Sequence, residues 1–373
     1  MFKYAKYYLS TLLVVLAIYV SSFGANYPTY FLIGYSLFVI LGDLLLPKSL
    51  SKDSYQYPKL INLPIYINFP LLLIFLVQII FVLGNNESEW VNSLFLKFLS
   101  IDLTSMKNNV SIVDKVSLII VGVLYIGMIG TVPGHELTHR KKDRFDMFFG
   151  NWLLSFSWDC AFALEHVYGH HKNVCFPSDP ATAKRGENIY LFMVKASINE
   201  HIDAWKIELR QLKRRSESPY SFKNKMLVGY LRSSFITFIT YLVGGSVGML
   251  FYLLIAVIAK GLLEAINYIE HYGLVREKDM PVCPRHSWNS NDVISSLLLY
   301  NVTRHSAHHE KSNLKFWELD SYPDSPTLPF GYLTMLYIAI FLPFYFHYLM
   351  RKKLSDWDIF FASDGEKKIV SNL

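Results

Sequence analysis

The chain has 373 residues; 52% are apolar, only 18% are charged, and mean hydropathy is positive. That balance excludes an ordinary soluble enzyme and points to a polytopic membrane protein. The net charge of +6 is dispersed, with no compact basic domain; this excludes a nucleic-acid partner and leaves orientation in a membrane as its meaning.

In chain order, apolar runs of about 20 residues, enough to cross a bilayer, occur at about 7–23, 28–47, 63–84 and 116–133. A longer run holds two more, about 228–244 and 246–270, divided at Gly244-Gly245. The expected fold is a single all-α domain over 1–373, a polytopic membrane protein with six transmembrane helices. The first run, with Lys3 and Lys6 before it and SSFGA after it, also resembles a signal peptide. We read it as a retained span, because the second run follows at once and completes a hairpin. Segment 190–215 mixes apolar and basic residues at near-helical spacing and is expected along the membrane surface. The last run, about 327–349, is bracketed by Pro329 and Pro343 and is read as a buried or interfacial helix, not a seventh span.

Lys3, Lys6, Lys48, Lys52 and Lys59 flank the first hairpin on one side, and segments 140–144 and 206–225 are rich in Lys and Arg. The positive-inside rule places both termini and the central loop in the cytoplasm. Every histidine cluster falls on that side. The run 206–216 reads as a solvated helix face or as a docking surface for an acidic electron donor. Cys160, Cys175 and Cys283 have no metal-ribbon or CxxC spacing, so disulfides are not implied.

Nine of the 12 histidines lie in four short clusters. In GHELTHRKK, His135 and His139 are an i, i+4 pair, and HExxH is also the zincin pattern. Taken alone, it fits a metal site or coincidence equally. In LEHVYGHHKN, His166 and His170 are expected on one helical face, with His171 pointing aside. TRHSAHHE supplies His305, His308 and His309. Neutral imidazole suits iron, copper and zinc, and eight ligands are too many for one ion, so two metals are implied. In AKGLLEAINYIEHYGL, Lys260, Glu264, Asn267 and His271 fall at steps of four, three and four, forming one polar stripe on an apolar helix. Such a stripe should face the bundle interior. We read His271 as a ninth ligand, with Glu264 and Asn267 orienting imidazoles. His201, His286 and His347 are expected not to be ligands. Glu136 and Glu270 are expected as cap or supporting groups. An interfacial pH-sensing patch or a metal transport or storage site is the non-enzymatic alternative.

The four boxes HELTH, EHVYGHH, NYIEHYGL and RHSAHH resemble those of the integral-membrane di-iron alkane monooxygenases and the related xylene monooxygenase hydroxylase subunits. FPSDPATAKRGENIY, HSWNSN and SPTLPFGY resemble family segments as well; the similarity is strong over roughly 115–335. The resemblance implies six spans and a cytoplasm-facing site of two iron ions held by His135, His139, His166, His170, His171, His271, His305, His308 and His309. It implies insertion of one oxygen atom from O2 into an unactivated methyl C–H bond, to give a primary alcohol. Electrons would come from a rubredoxin or a ferredoxin-type reductase, and the hydrophobic substrate, an n-alkane first, would enter from the bilayer of a bacterial inner membrane. Asp179 reads as a turn residue before Pro180 or as an acid that supports or bridges the irons. Tyr35 reads as a lipid-interface aromatic or as a lining residue of the substrate channel. RHSAHH carries Ala307 where alkane hydroxylases usually have Asp, and AKGLLEAINY, YGLVREKDMP and KLSDWD look closer to the xylene branch. An aryl-methyl monooxygenase, a fatty-acid desaturase or lipid hydroxylase, and a metal transporter or sensor are the rival functions.

Overall fold

A computed structural model describes residues 2–372; it is all-helical, and among the described residues no strand forms beyond one isolated bridge between Asn289 and Thr327. Helices α1 (Lys3–Ser22) and α2 (Tyr27–Leu45) form the expected hairpin, turned at Gly24 with φ +64°. Next come α3 (Pro58–Leu83) and α4 (Ile112–His139). Helix α5 (Ile189–Arg214) precedes α6 (Lys225–His271), which is 47 residues long. The apolar helices α1–α4 and α6 are each long enough to cross a membrane, five among the described residues. The protein is an integral membrane protein.

Helix α6 is two helices joined at Gly245, where φ +67° and ψ −164° leave the helical region. The two halves run back on each other. Residues on both halves reach the same neighbours: Ser233 Oγ donates to the Ser155 carbonyl and Tyr252 OH to the adjacent Phe156 carbonyl. Tyr230 and Lys260, from opposite halves, both bond to α5, through His201 and Glu200. Gly244 lets the turn touch the end of α3: a Cβ there would stand 2.6 Å from the Ile80 carbonyl oxygen.

The helix ends therefore sort to two sides. The α1–α2 turn meets Met106 and Asn109, before the start of α4, and the end of α3 meets the α6 turn. On the other side lie the N-terminus, the loop after α2, the start of α3 and the ends of α4 and α6, tied by Tyr8 OH to the Leu60 carbonyl and Lys6 to Asp53 at 2.6 Å. All four histidine boxes lie on this second side. Side chains such as Val14, Val39, Phe75, Ile79, Tyr125, Tyr252 and Ile255 fill the bundle interior.

Helix α5 carries an outward apolar stripe of Leu191, Val194, Ile198 and Ile202, spaced for one face, while Phe192, Ala196, Glu200 and Ala204 are buried. An exposed apolar stripe on a helix packed under a bundle suits the membrane surface. The last apolar run departs from its expected continuity. It breaks into α7 (Tyr332–Phe341) and α8 (Pro343–Phe360), because Pro343 has no amide hydrogen to continue the helix. Helix α7 has 10 residues, too few to span, and buries Tyr332, Met335 and Ala339.

Candidate metal centre

Four separate pieces of chain bring nine imidazoles together. Ile126–Thr131 forms a π-helical turn in α4, which absorbs the missing amide of Pro133 and delivers His135 and His139 on the last regular turns. A second π-helical turn spans His166–His170. It changes the facing of the box from what regular spacing predicts. With i→i+5 geometry, His166 pairs with His171 (Nε2 to Nε2 3.1 Å), while the His170 ring stacks beside His166 at 5.2 Å and turns its Nε2 to His309. The expected His166–His170 pairing is thus corrected by a local change of helical pitch. In the short helix His305–Glu310, His305 and His309 share a face at 2.9 Å, and His308 takes the other direction.

The result is two adjoining groups. His135, His139, His166, His171 and His308 form one; His170, His271, His305 and His309 form the other, with each group's ligand atoms within 4.8 Å of one another. In the first group His135 Nε2 lies 2.9 Å from His166, 3.0 Å from His308 and 3.1 Å from His139, all at Nε2. In the second, His271 and His305 are 3.1 Å apart, and His170 and His309 are 3.3 Å apart. His171 and His309, from different groups, stack at 4.5 Å, so the groups touch.

These contacts test whether the residues fit metal ions. A neutral imidazole has one N–H and one lone pair, so a single Nε2 cannot satisfy three other Nε2 atoms by hydrogen bonding. Nitrogens about 2.1 Å from a shared ion and at right angles lie about 3 Å apart. The observed separations have that size, and the lone pairs converge. Burial first, then the neighbouring imidazoles, push His166, His171, His305, His308 and His309 well below the usual histidine range, which keeps the neutral, ligating form. Each group can hold a metal ion.

The supporting residues differ in part from the sequence expectation. Asp179 bonds His170 Nδ1 through both oxygens (3.0 and 3.1 Å) and accepts from Thr182 Oγ1 at 2.6 Å. Burial alone would raise its carboxyl; the His170 ring and the Thr182 hydroxyl outweigh it and hold the carboxyl low. Both oxygens face His170 Nδ1, on the side of the ring away from the clustered Nε2 atoms. Glu270 Oε1 lies 3.3 Å from His305 Nδ1. His271 Nδ1 donates to the His286 carbonyl at 3.0 Å, not to Asn267 or Glu264. That corrects the reading of those two as partners of His271. Asn267 donates to Glu264 and Glu200, and Lys260 Nζ sits among Asp159 (3.0 Å), Glu200 (2.8 Å) and Glu264 (2.5 Å). The polar stripe does face the interior, but its Lys260–Asn267 part meets α5 and Asp159, and only His271 at its end reaches the histidines. Glu136 pairs with Arg140 at 2.7 Å.

His201 bonds Tyr230, and His347 bonds Tyr268; both lie outside the groups, as does the His286 ring. Tyr35 is buried, its hydroxyl 3.4 Å from Met128 Sδ and its ring beside Phe31 and Tyr125. It therefore faces the bundle, next to the first π turn, and not lipid. Sequence reasoning missed two supports, Thr182 and the His286 carbonyl. The first had a signal in its place three residues after Asp179; the second, a main-chain atom, had none.

A membrane-embedded helical bundle with two abutting all-histidine groups that can hold metal defines the class. A sequence model of the fatty acid desaturase family matches residues 115–351, and the chain belongs to that family. Among curated proteins it is 35% identical to alkane 1-monooxygenase 2 of Alcanivorax borkumensis over 64% of this chain and 63% of that one. It is 35% identical to alkane 1-monooxygenase of Ectopseudomonas oleovorans over 60% of this chain and 57% of that one. The xylene/toluene monooxygenase hydroxylase component XylM of Pseudomonas putida is 32% identical over 67% of this chain and 68% of that one. The match spans about three fifths of the length of the alkane 1-monooxygenases.

Proposed function

We propose that this protein is a membrane di-iron monooxygenase that hydroxylates a terminal or benzylic methyl C–H, of an n-alkane in the first instance, to the primary alcohol. The observation that carries the reading is the division of nine histidines into abutting groups of five and four. In balance, R–H, O2, two electrons and two protons give R–OH and water. Two iron ions, when bound, supply the reduction of O2 and the oxidation of the C–H bond. His135, His139, His166, His171 and His308 would hold one, and His170, His271, His305 and His309 the other. Asp179 and the His286 carbonyl fix ring orientation and tautomer from behind. The rings Phe31, Tyr35 and Tyr125 pack on one another beside the first π turn, where they would help exclude water.

The bundle would cross the bacterial inner membrane six times, with α6 counting twice and the histidine side in the cytoplasm, as the lysines flanking α1–α3 support. Electrons would arrive from a rubredoxin or ferredoxin-type donor. The exposed Lys141, Lys142 and Lys172 lie within three residues of the partly exposed His139 and His171 and suit an acidic partner. In 206–216, Lys206 pairs with Asp203 and Arg215 with Glu208, while Arg210, Lys213 and Arg214 are exposed and form a second basic face open to such a partner.

The test is expression in membranes with a rubredoxin and its reductase, and separate supply of octane, p-xylene and a fatty acid. Alcohol from octane is the expected result. Alcohol only from p-xylene selects the aryl-methyl reading. An alkene without alcohol selects a desaturase. Iron-loaded protein that consumes no O2 with any of the three refutes oxygenase function and leaves metal transport or sensing.

A further inference from the structure

Beyond the family match, the chain ends in a short helix, Asp364–Val370, whose Glu366 is fully buried. A buried carboxylate on a terminal tail is costly unless it is bonded, and this one is bonded on every side. Glu366 Oε1 accepts from His286 Nε2 at 2.7 Å, and Oε2 accepts from Arg285 Nε at 2.9 Å and from the Ser363 amide at 2.8 Å. The His286 ring has a fixed tautomer. Its Nδ1 accepts the Cys283 amide at 2.9 Å, so Nε2 carries the hydrogen that Glu366 receives. The same residue's carbonyl oxygen accepts from His271 Nδ1 at 3.0 Å and from Cys175 Sγ at 3.2 Å. Trp357 on α8 closes the turn by donating to the Arg285 carbonyl at 2.7 Å. One unbroken chain of bonds thus runs from the tail, through residue 286, to the far nitrogen of a histidine whose Nε2 points at His305.

We propose that Glu366 is a positioning residue for the metal centre: the C-terminal tail latches the 283–286 turn and so fixes the carbonyl that orients His271. The inference rests on reading His271 as a metal ligand. Partners of this kind set ring orientation and ligand basicity, and their loss typically weakens metal binding about 10–100-fold. The tail has a second tie, the Arg185–Asp358 ion pair at 2.6 Å, which reaches the Gly273 carbonyl through Arg185 Nε but touches neither residue 286 nor the histidine rings.

The experiment uses full-length protein purified from membranes and loaded with ferrous iron, with the iron-to-protein ratio and the rate of iron loss to a chelator as readouts. Glu366→Ala is expected to release iron about 10–100-fold faster than wild type. Glu366→Gln, whose amide oxygen still accepts from His286 but whose NH2 faces the Arg285 and Ser363 donors, should release iron more slowly than Glu366→Ala and faster than wild type. Asp358→Ala, which loosens the tail without touching the turn, should retain iron. Wild-type release from Glu366→Ala, or equal loss from Asp358→Ala, overturns the latch. Should Glu366→Ala not accumulate, Glu366→Asp draws the carboxylate back by one methylene and should show intermediate loss; a wild-type rate there overturns the proposal equally. A wild-type protein that takes up no iron sinks the metal reading itself, and the latch with it.

Discussion

Single side chains decide how tightly each imidazole is held. Of the nine, His170 has the strongest support, because both oxygens of Asp179 reach its Nδ1. Asp179→Ala should lower iron content or activity about 10–100-fold, whereas Asp179→Asn should fall much less because one oxygen still accepts from the ring; metal analysis of the purified variants decides it. Ala307, buried between His305 and His308, offers the rings no carboxylate; the acid nearest His305 is Glu270 from α6, 3.3 Å from Nδ1 but with no hydrogen bond formed. Residue identity was enough to single out the nine histidines and Asp179. It was not enough for Glu264 and Asn267. Their stripe was visible, but which neighbour it faced depended on α5, a segment more than fifty residues away.

Whole elements carry two further expectations. Lys260 is clamped by Asp159, Glu200 and Glu264, carboxylates drawn from three parts of the chain, inside the bundle. Removing the one cation leaves several buried carboxyls to repel each other. Lys260→Met should therefore destabilise the protein by about 3–5 kcal/mol, read as a lowered midpoint of thermal unfolding in detergent. The turn in α6 depends on a backbone conformation that essentially only glycine adopts, and a Cβ on Gly245 would stand 2.5 Å from Asn85 Oδ1. Gly245→Ala is expected to cost about 1–3 kcal/mol by the same measurement. An unchanged midpoint would mean that the two halves of α6 do not need this turn. The π-helical turn at His166–His170 belongs to this scale as well. Spacing alone gives i, i+4 pairing, and only the packed structure shows the extra residue per turn that hands His170 to the second group.

At the scale of the molecule, the histidines join α4, residues 162–173, α6 and the helix His305–Glu310 at one point. Metal should therefore stabilise the entire bundle. Ligand bound only to the folded state at 100 times its Kd adds about 2.7 kcal/mol, so the unfolding midpoint should rise with ferrous iron and fall with a chelator. A midpoint indifferent to both would show that the groups do not bind iron in the folded protein.

Composition and periodicity by themselves determined the membrane setting, the long apolar helices, the break at Gly244-Gly245 and the identity of the clustered histidines. These are local properties: hydropathy over about 20 residues, one glycine pair and the density of one side chain. The tertiary structure decided the rest. It divided the histidines five and four, turned the Glu264–Asn267 stripe toward Lys260 and Glu200, and set Tyr35 inside the bundle. It also brought Glu366, from the far end of the chain, to the turn beside His271. Each of these depends on which distant segment packs alongside, and a main-chain carbonyl such as that of residue 286 leaves no mark in the sequence at all.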